Sequence, residues 1–117
     1  MKDRRENTVS IALTGDQMLR ALQALANPHR LRIVAALRSQ GRNYVSQLAR
    51  DVGISRPLLH LHLQKLEEAG LVTSKLELSG DGKALNFFEA TDFRFELSPT
   101  AIAAAVKSLS IQSSKSD

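Results

Sequence analysis

The sequence contains no cysteine, and that absence removes disulfides, thiolate metal sites and thiol redox sensing from consideration. It agrees with a reducing compartment. No apolar run approaches the ~18 residues needed to cross a bilayer. The opening stretch MKDRRENTVSIAL is charged where a secretory signal would be apolar. A soluble cytoplasmic protein without a membrane partner is therefore expected. Enzyme chemistry finds no foothold either: there is no glycine-rich phosphate loop, no nucleophile with a positioned base, and no carboxylate pair at a suggestive spacing. Internal repeats and long linkers are missing too.

What remains is a chain of 117 residues, 43% of them hydrophobic, which is enough for one compact domain with a real core. The net charge of +4, with a pI near 9.9, favours a polyanionic partner. The basic excess is early: between residues 14 and 42, Arg20, Arg30, Arg32, Arg38 and Arg42 stand against one acid, Asp16. Solvated helix faces explain these charges about as well as a nucleic-acid footprint does.

Periodicity and punctuation divide the chain into short elements. Val9, Ile11 and Leu13 alternate as a short strand would. Thr14 and Gln17 have the spacing of a reciprocal helix cap, and Met18, Leu22 and Leu25 then recur at helical spacing until Asn27-Pro28 ends the helix. Pro28 suits the first turn of a second helix with Leu31, Val34, Ala35 and Leu37 as its apolar face, stopped by Gly41. A short third helix carries Val45, Leu48, Ala49 and Val52. Ser55 is a good cap for a fourth, with Pro57 in its first turn. At ~100° per residue, Leu59, Leu63 and Leu66 form one narrow stripe that must be core, and Pro57, Leu61, Gln64 and Glu68 lie opposite. Residues 71–79 alternate as a strand with Val72, Leu76 and Leu78 on one face, and Gly80-Asp81-Gly82-Lys83 is a strong turn signal. Residues 84–90 return as its partner. Phe93, Phe95 and Leu97 suggest a third strand or an extended arm. Ser98-Pro99 opens a last helix with Ile102, Val106 and Leu109 along one side.

A short helix, a glycine turn at Gly53 and a second capped helix form the helix-turn-helix signature. The major groove of DNA admits one helix, while the helix before it braces against the backbone. A hairpin directly after the second helix can reach a neighbouring groove. From Leu22 to Ala90 the chain also resembles the ArsR type of winged-helix transcriptional regulators, on the stretches ALANPHRLRIVAAL, YVSQLARDVGISRPLLHLHLQKLEEAGLV and NFFEA. The resemblance implies an α+β, mainly helical winged helix-turn-helix with N- and C-terminal dimerisation helices. It also implies a homodimeric repressor on a pseudo-palindromic operator in double-stranded DNA. Residues 1–13 are then a flexible arm or short strand, 14–111 the winged-helix domain, and 112–117 a frayed tail. A winged-helix protein–protein interaction module without specific DNA binding is the alternative.

Founding members of that family sense metals through cysteines near the reading helices, or through His and acidic residues on the last helix. This chain has no cysteine, and residues 100–111 hold no His, Asp or Glu, so no metal and no cofactor is expected and any small-molecule effector is unknown. His60 and His62 project ~160–200° apart on a helix and cannot share an ion. His62, near the core stripe, suits a structural role better than a DNA contact. His60 flanks the outer face and suits a contact. The candidate DNA-binding residues are Ser55, Arg56, Leu58, His60, Leu61, Gln64 and Lys65 on the fourth helix, with Lys83 on the wing. An outward leucine such as Leu61 can meet a thymine methyl, although isolated exposed leucines are common. Arg38 and Arg42 either flank the DNA backbone or are solvated. Met18, Leu22 and Leu25 on the first helix and Ile102, Val106 and Leu109 on the last are the candidate dimer interface.

Overall fold

The computed structural model describes residues 12–110. The expected strand through Val9, Ile11 and Leu13 lies mostly outside those residues, as does the expected tail. Thr14 opens α1 (Gly15–Leu25) through the reciprocal cap read from its spacing. Its hydroxyl accepts from the Gln17 N–H at 3.1 Å, and its own N–H donates to Gln17 Oε1 at 2.9 Å. Asn27, read from the sequence only as the end of that helix, also starts the next. Its side chain accepts from the N–H groups of His29 (2.8 Å) and Arg30 (3.3 Å) to cap α2 (Pro28–Gln40).

The apolar face of α2 is rotated from the one expected. Ile33 and Leu37 are the buried pair, whereas Leu31 is 54% exposed and Ala35 faces solvent as well. Two positions along a helix turn the side chain by ~200°, so Leu31 and Ile33 cannot both face the core, and the β-branched residue takes the place.

After α2 come β1 (Asn43–Tyr44), α3 (Val45–Val52), α4 (Arg56–Glu68), β2 (Val72–Leu78), β3 (Ala84–Ala90) and α5 (Pro99–Val106). The turn between α3 and α4 uses Gly53 in the left-handed region at φ 80°, its N–H returning to the Ala49 carbonyl. A side chain there would be strained. Ser55 then caps α4, its hydroxyl accepting from the Leu58 N–H at 3.3 Å.

The sheet has three antiparallel strands in the order β1-β3-β2. The third strand is not the expected 93–97 stretch. It is β1, ahead of the helix pair, with Asn43 opposite Phe88 and Tyr44 opposite Phe87. β1 and β2 take both edges of β3, and residues 91–97 carry no regular secondary structure. The expected inner face of β2 also needs correction. Val72 is buried, but Leu76 and Leu78 are 68% and 77% exposed, because the hairpin runs out past the helices that cover its base.

The described chain forms two compact units. In the unit Arg20–Phe93 the core joins Ala24, Ile33, Leu37, Leu48, Leu59, Leu63, Leu66, Val72 and Phe88. At ~1.5–3 kcal/mol for each large apolar side chain taken from water, this cluster is what fixes α4 against α2, α3 and the sheet. The other unit takes in the described residues up to Leu19 and from Arg94 on. There α1 meets the end of α5 so closely that a Cβ on Gly15 would stand 2.4 Å from the Ala105 carbonyl oxygen. The Gly15 N–H donates to Ser108 Oγ at 2.9 Å, and the Asp16 carboxylate accepts from the Ser110 N–H at 2.9 Å. Ser98 caps α5, accepting from the Ala101 N–H at 3.0 Å.

Candidate nucleic-acid interface

α4 has two chemically distinct sides. Leu59, His62, Leu63 and Leu66 are buried, which is the i, i+3, i+4, i+7 pattern of a helix lying on a core. Arg56, Leu58, His60, Leu61, Gln64 and Lys65 are all exposed, so the six candidates on this helix emerge on the side that the core leaves open. Leu61 is 60% exposed. Gln64 donates its amide to Glu68 at 3.3 Å, an exposed contact that a competing base edge can displace. Ser55 is at the same end but uses its hydroxyl as the cap.

His62 occupies the inner side of the helix. Its Nδ1 accepts from the Arg30 Nε–H at 3.2 Å, and its ring lies 5.4 Å from that of His29. Among the described residues, no third His, Cys or acidic side chain joins the pair in a metal-ligand cluster. Burial, then the Arg30 charge, then His29 push the His62 imidazole below its ordinary pKa. A ring that accepts at Nδ1 is neutral and carries its proton on Nε2, and that Nε2 is buried with no partner among the described residues. Arg30 in turn donates from Nη1 to the carbonyls of Gln23 (3.1 Å) and Ala24 (3.3 Å). One guanidinium thus ties the last turn of α1 and the first turn of α2 to the middle of α4.

The wing presents Lys83 at its turn, exposed. The turn is closed by Ser79 N–H to the Lys83 carbonyl at 2.7 Å, and by Asp81, whose carboxylate accepts from the Ser79 hydroxyl and the Lys83 N–H. Those bonds, the Ser79 hydroxyl first, hold the Asp81 carboxyl below its ordinary value. The charge of Asp81 two residues from Lys83 tempers what the wing tip offers a phosphate.

Arg42 is exposed, as a solvated side chain would be, but it is not without partners. It donates to both oxygens of Glu77, at 2.6 and 3.0 Å, and lies 4.5 Å above the Phe87 ring, which Tyr44 meets edge-on at 5.8 Å. It is committed to bracing the wing. Nothing local in the sequence pairs positions 42 and 77; the strand order brings them within reach, Arg42 extending across Phe87 of the central strand to Glu77 on β2. Arg38 remains exposed.

Of the six residues assigned to a dimer contact, Met18 is already buried within its own chain, beside a cavity of about 330 Å³ that it lines with Leu13, Phe95, Ala101 and Ala104. Leu25 packs against the core and Leu22 is half-buried. Ile102, Val106 and Leu109 stand exposed, Val106 at 56%. Among the described residues no helix is long and apolar enough to cross a membrane.

Known proteins carry the same arrangement. The helix-turn-helix domain family matches residues 25–75. An uncharacterized HTH-type transcriptional regulator of Methanocaldococcus jannaschii is 41% identical over 73 residues, covering 62% of this chain and 75% of that protein. A crystal structure of a possible transcriptional regulatory protein from Mycobacterium bovis is similar at TM-score 0.55 and 31% identity, over 64% of this chain and 74% of that one. A solution structure from the same organism, described as a homodimeric winged helix-turn-helix DNA-binding domain of a possible ArsR-family regulator, aligns at TM-score 0.56 and 28% identity, over 77% of this chain and 72% of that one. All three are described as transcriptional regulators or possible ones. A helix-turn-helix on a buried core, followed by a hairpin, and a relative that is 41% identical place this chain in the family of HTH-type transcriptional regulators.

Proposed function

We propose that this regulator is a cytoplasmic homodimeric repressor that reads a pseudo-palindromic operator by laying α4 in the major groove of each half-site. The observation that carries the reading is the division of α4: a fully buried leucine stripe fixes the helix, and Arg56, His60, Leu61, Gln64 and Lys65 all emerge on the open side. Arg56 can pair with guanine or a phosphate, Gln64 can pair with adenine, and Leu61 can meet a thymine methyl. Lys65 and the wing's Lys83 would meet phosphates, which position the protein without reading sequence. The uncovered Ile102, Val106 and Leu109 would supply the subunit contact, as the homodimeric Mycobacterium bovis domain suggests. The two reading helices would then sit ~34 Å apart, one turn of DNA.

Selection of bound fragments from genomic DNA by the purified protein tests this. A recurrent inverted repeat with half-sites one turn apart, bound with an affinity that falls steeply with salt, is the expected result. The exposed Leu61, Leu76 and Leu78 favour a second reading, a protein-interaction module. Failure to enrich any sequence, with salt-insensitive capture of a protein instead, would establish that one.

A further inference from the structure

Between the last turn of α1, the start of α2 and the end of α4 lies a cavity of about 340 Å³, lined by Arg20, Gln23, Ala24, Arg30, Lys65 and Glu68. Its charge is unbalanced. Three cations face it against one carboxylate, and that carboxylate, Glu68, already accepts from Gln64. Among the described residues neither Arg20 nor Lys65 has an ion-pair partner.

Arg30 is the fixed part of the site. Its Nε and Nη1 are held by His62 Nδ1 and by the Gln23 and Ala24 carbonyls, while Nη2 has no acceptor among the described residues. A guanidinium immobilised in this way offers planar donors at little further entropic cost. Arg20 on α1 and Lys65 on α4 supply two exposed charges. The Gln23 amide adds a neutral donor. The volume is at the small end for ligand cavities.

We propose that this cavity is a binding site for a phosphate-type oxyanion, held by Arg30 with Arg20 and Lys65 closing on it. Arginine suits such a group because its donors match two oxygens at once, and charge-assisted bonds of this kind are the strong ones. Occupancy would draw Lys65, on α4, toward Arg20 on α1. The phosphate could be a free anion or belong to a nucleic-acid backbone, and the chemistry is shared.

The test is titration of the full chain with inorganic phosphate at constant ionic strength, chloride being exchanged out, while NMR follows the Arg30 Nε–H. A saturable shift with a dissociation constant on the order of 1 mM is expected for so small a ligand. R20Q and K65Q, both at exposed positions, should each weaken it about tenfold while leaving the thermal midpoint unchanged. A shift that never saturates, or an affinity in both variants equal to that of the native chain, overturns the proposal. A repeat with duplex DNA present names the source. Loss of the phosphate response in the complex assigns the cavity to a backbone phosphate, and its persistence assigns it to a free anion.

Discussion

α4 and α5 begin alike, each with a serine cap and a proline in its first turn, yet they show opposite chemistry to solvent. α4 buries Leu59, Leu63 and Leu66 and exposes Arg56, His60, Gln64 and Lys65. α5 buries only Ala105 and exposes Ile102 and Val106, and Leu109, just past its end, is exposed as well. Caps and prolines therefore say where a helix starts, and only the packed face says what it is for. A helix held by large buried side chains can present a polar face to a ligand without moving. A helix held by one alanine and a close approach at Gly15 keeps its large apolar residues for something else.

The largest expected effect lies on the anchored side. Leu63→Ala removes a side chain at the centre of the core, and urea unfolding should show a loss of about 2–5 kcal/mol, transfer and cavity terms together. Val106→Ala, on the exposed stripe of α5, should stay within about 0.5 kcal/mol in the monomer. Similar losses at both positions would show that the two helices are anchored alike and dissolve the contrast.

The same stripe gives the second prediction. Val106→Glu should leave the monomer folded while placing a charge in the proposed subunit contact, at a cost of about 3 kcal/mol or more. Sedimentation should then show monomers, and operator affinity should fall with the loss of the second half-site. A variant that remains dimeric would place the contact elsewhere. The third prediction sharpens the opposite face: Arg56→Ala and Gln64→Ala should each cost about 1–3 kcal/mol in operator binding and relax specificity at one base pair, with unfolding unchanged. Full affinity in the double variant would remove α4 from the groove.

How much of this was legible depended on how local its cause was. The caps at Thr14, Ser55 and Ser98 each bond a residue three positions on, and neighbours in the sequence located them, Gln17 for the first and a following proline for the other two. The leucine stripe of α4 is also local, since one helix and a 3.6-residue period determine it. The misread elements all depended on distant partners. The third strand is two residues long and exists because Phe87 and Phe88 lie opposite it. Leu76 and Leu78 alternate correctly with Val72 but extend past anything that could cover them. Arg42 looked like an exposed helix-end cation until the strands put Glu77 and Phe87 beside it. His62 lay between these cases: its position near the stripe was readable, its partner Arg30, 32 residues away, was not.

The smallest expected effect separates the two helices by pH. Residues 99–106 contain no titratable side chain, while α4 carries His62, buried and accepting from Arg30. Burial first, then the Arg30 and His29 charges, lower its pKa in the folded chain. The unfolded chain therefore binds a proton at higher pH than the folded one does, near the ordinary histidine value of about 6.5. Where the unfolded state holds more protons, stability rises with pH. The contribution of neutral His62 is thus fully present above about pH 6.5 and is lost as pH falls through the lower, folded value. The structural reason is plain: a proton on Nδ1 abolishes the acceptor for Arg30 and sets two cations side by side. Glu77 and Asp81 have folded values that are lowered too, but carboxylates titrate near pH 4, so their losses begin further down the scale. Urea midpoints measured between pH 7.5 and 5 should fall on the acid side in the native chain, and the slope over that window should flatten in His62→Gln, whose amide oxygen can still accept from Arg30. An unchanged slope in that variant would mean that the Arg30–His62 bond does not set the acid sensitivity of the recognition helix.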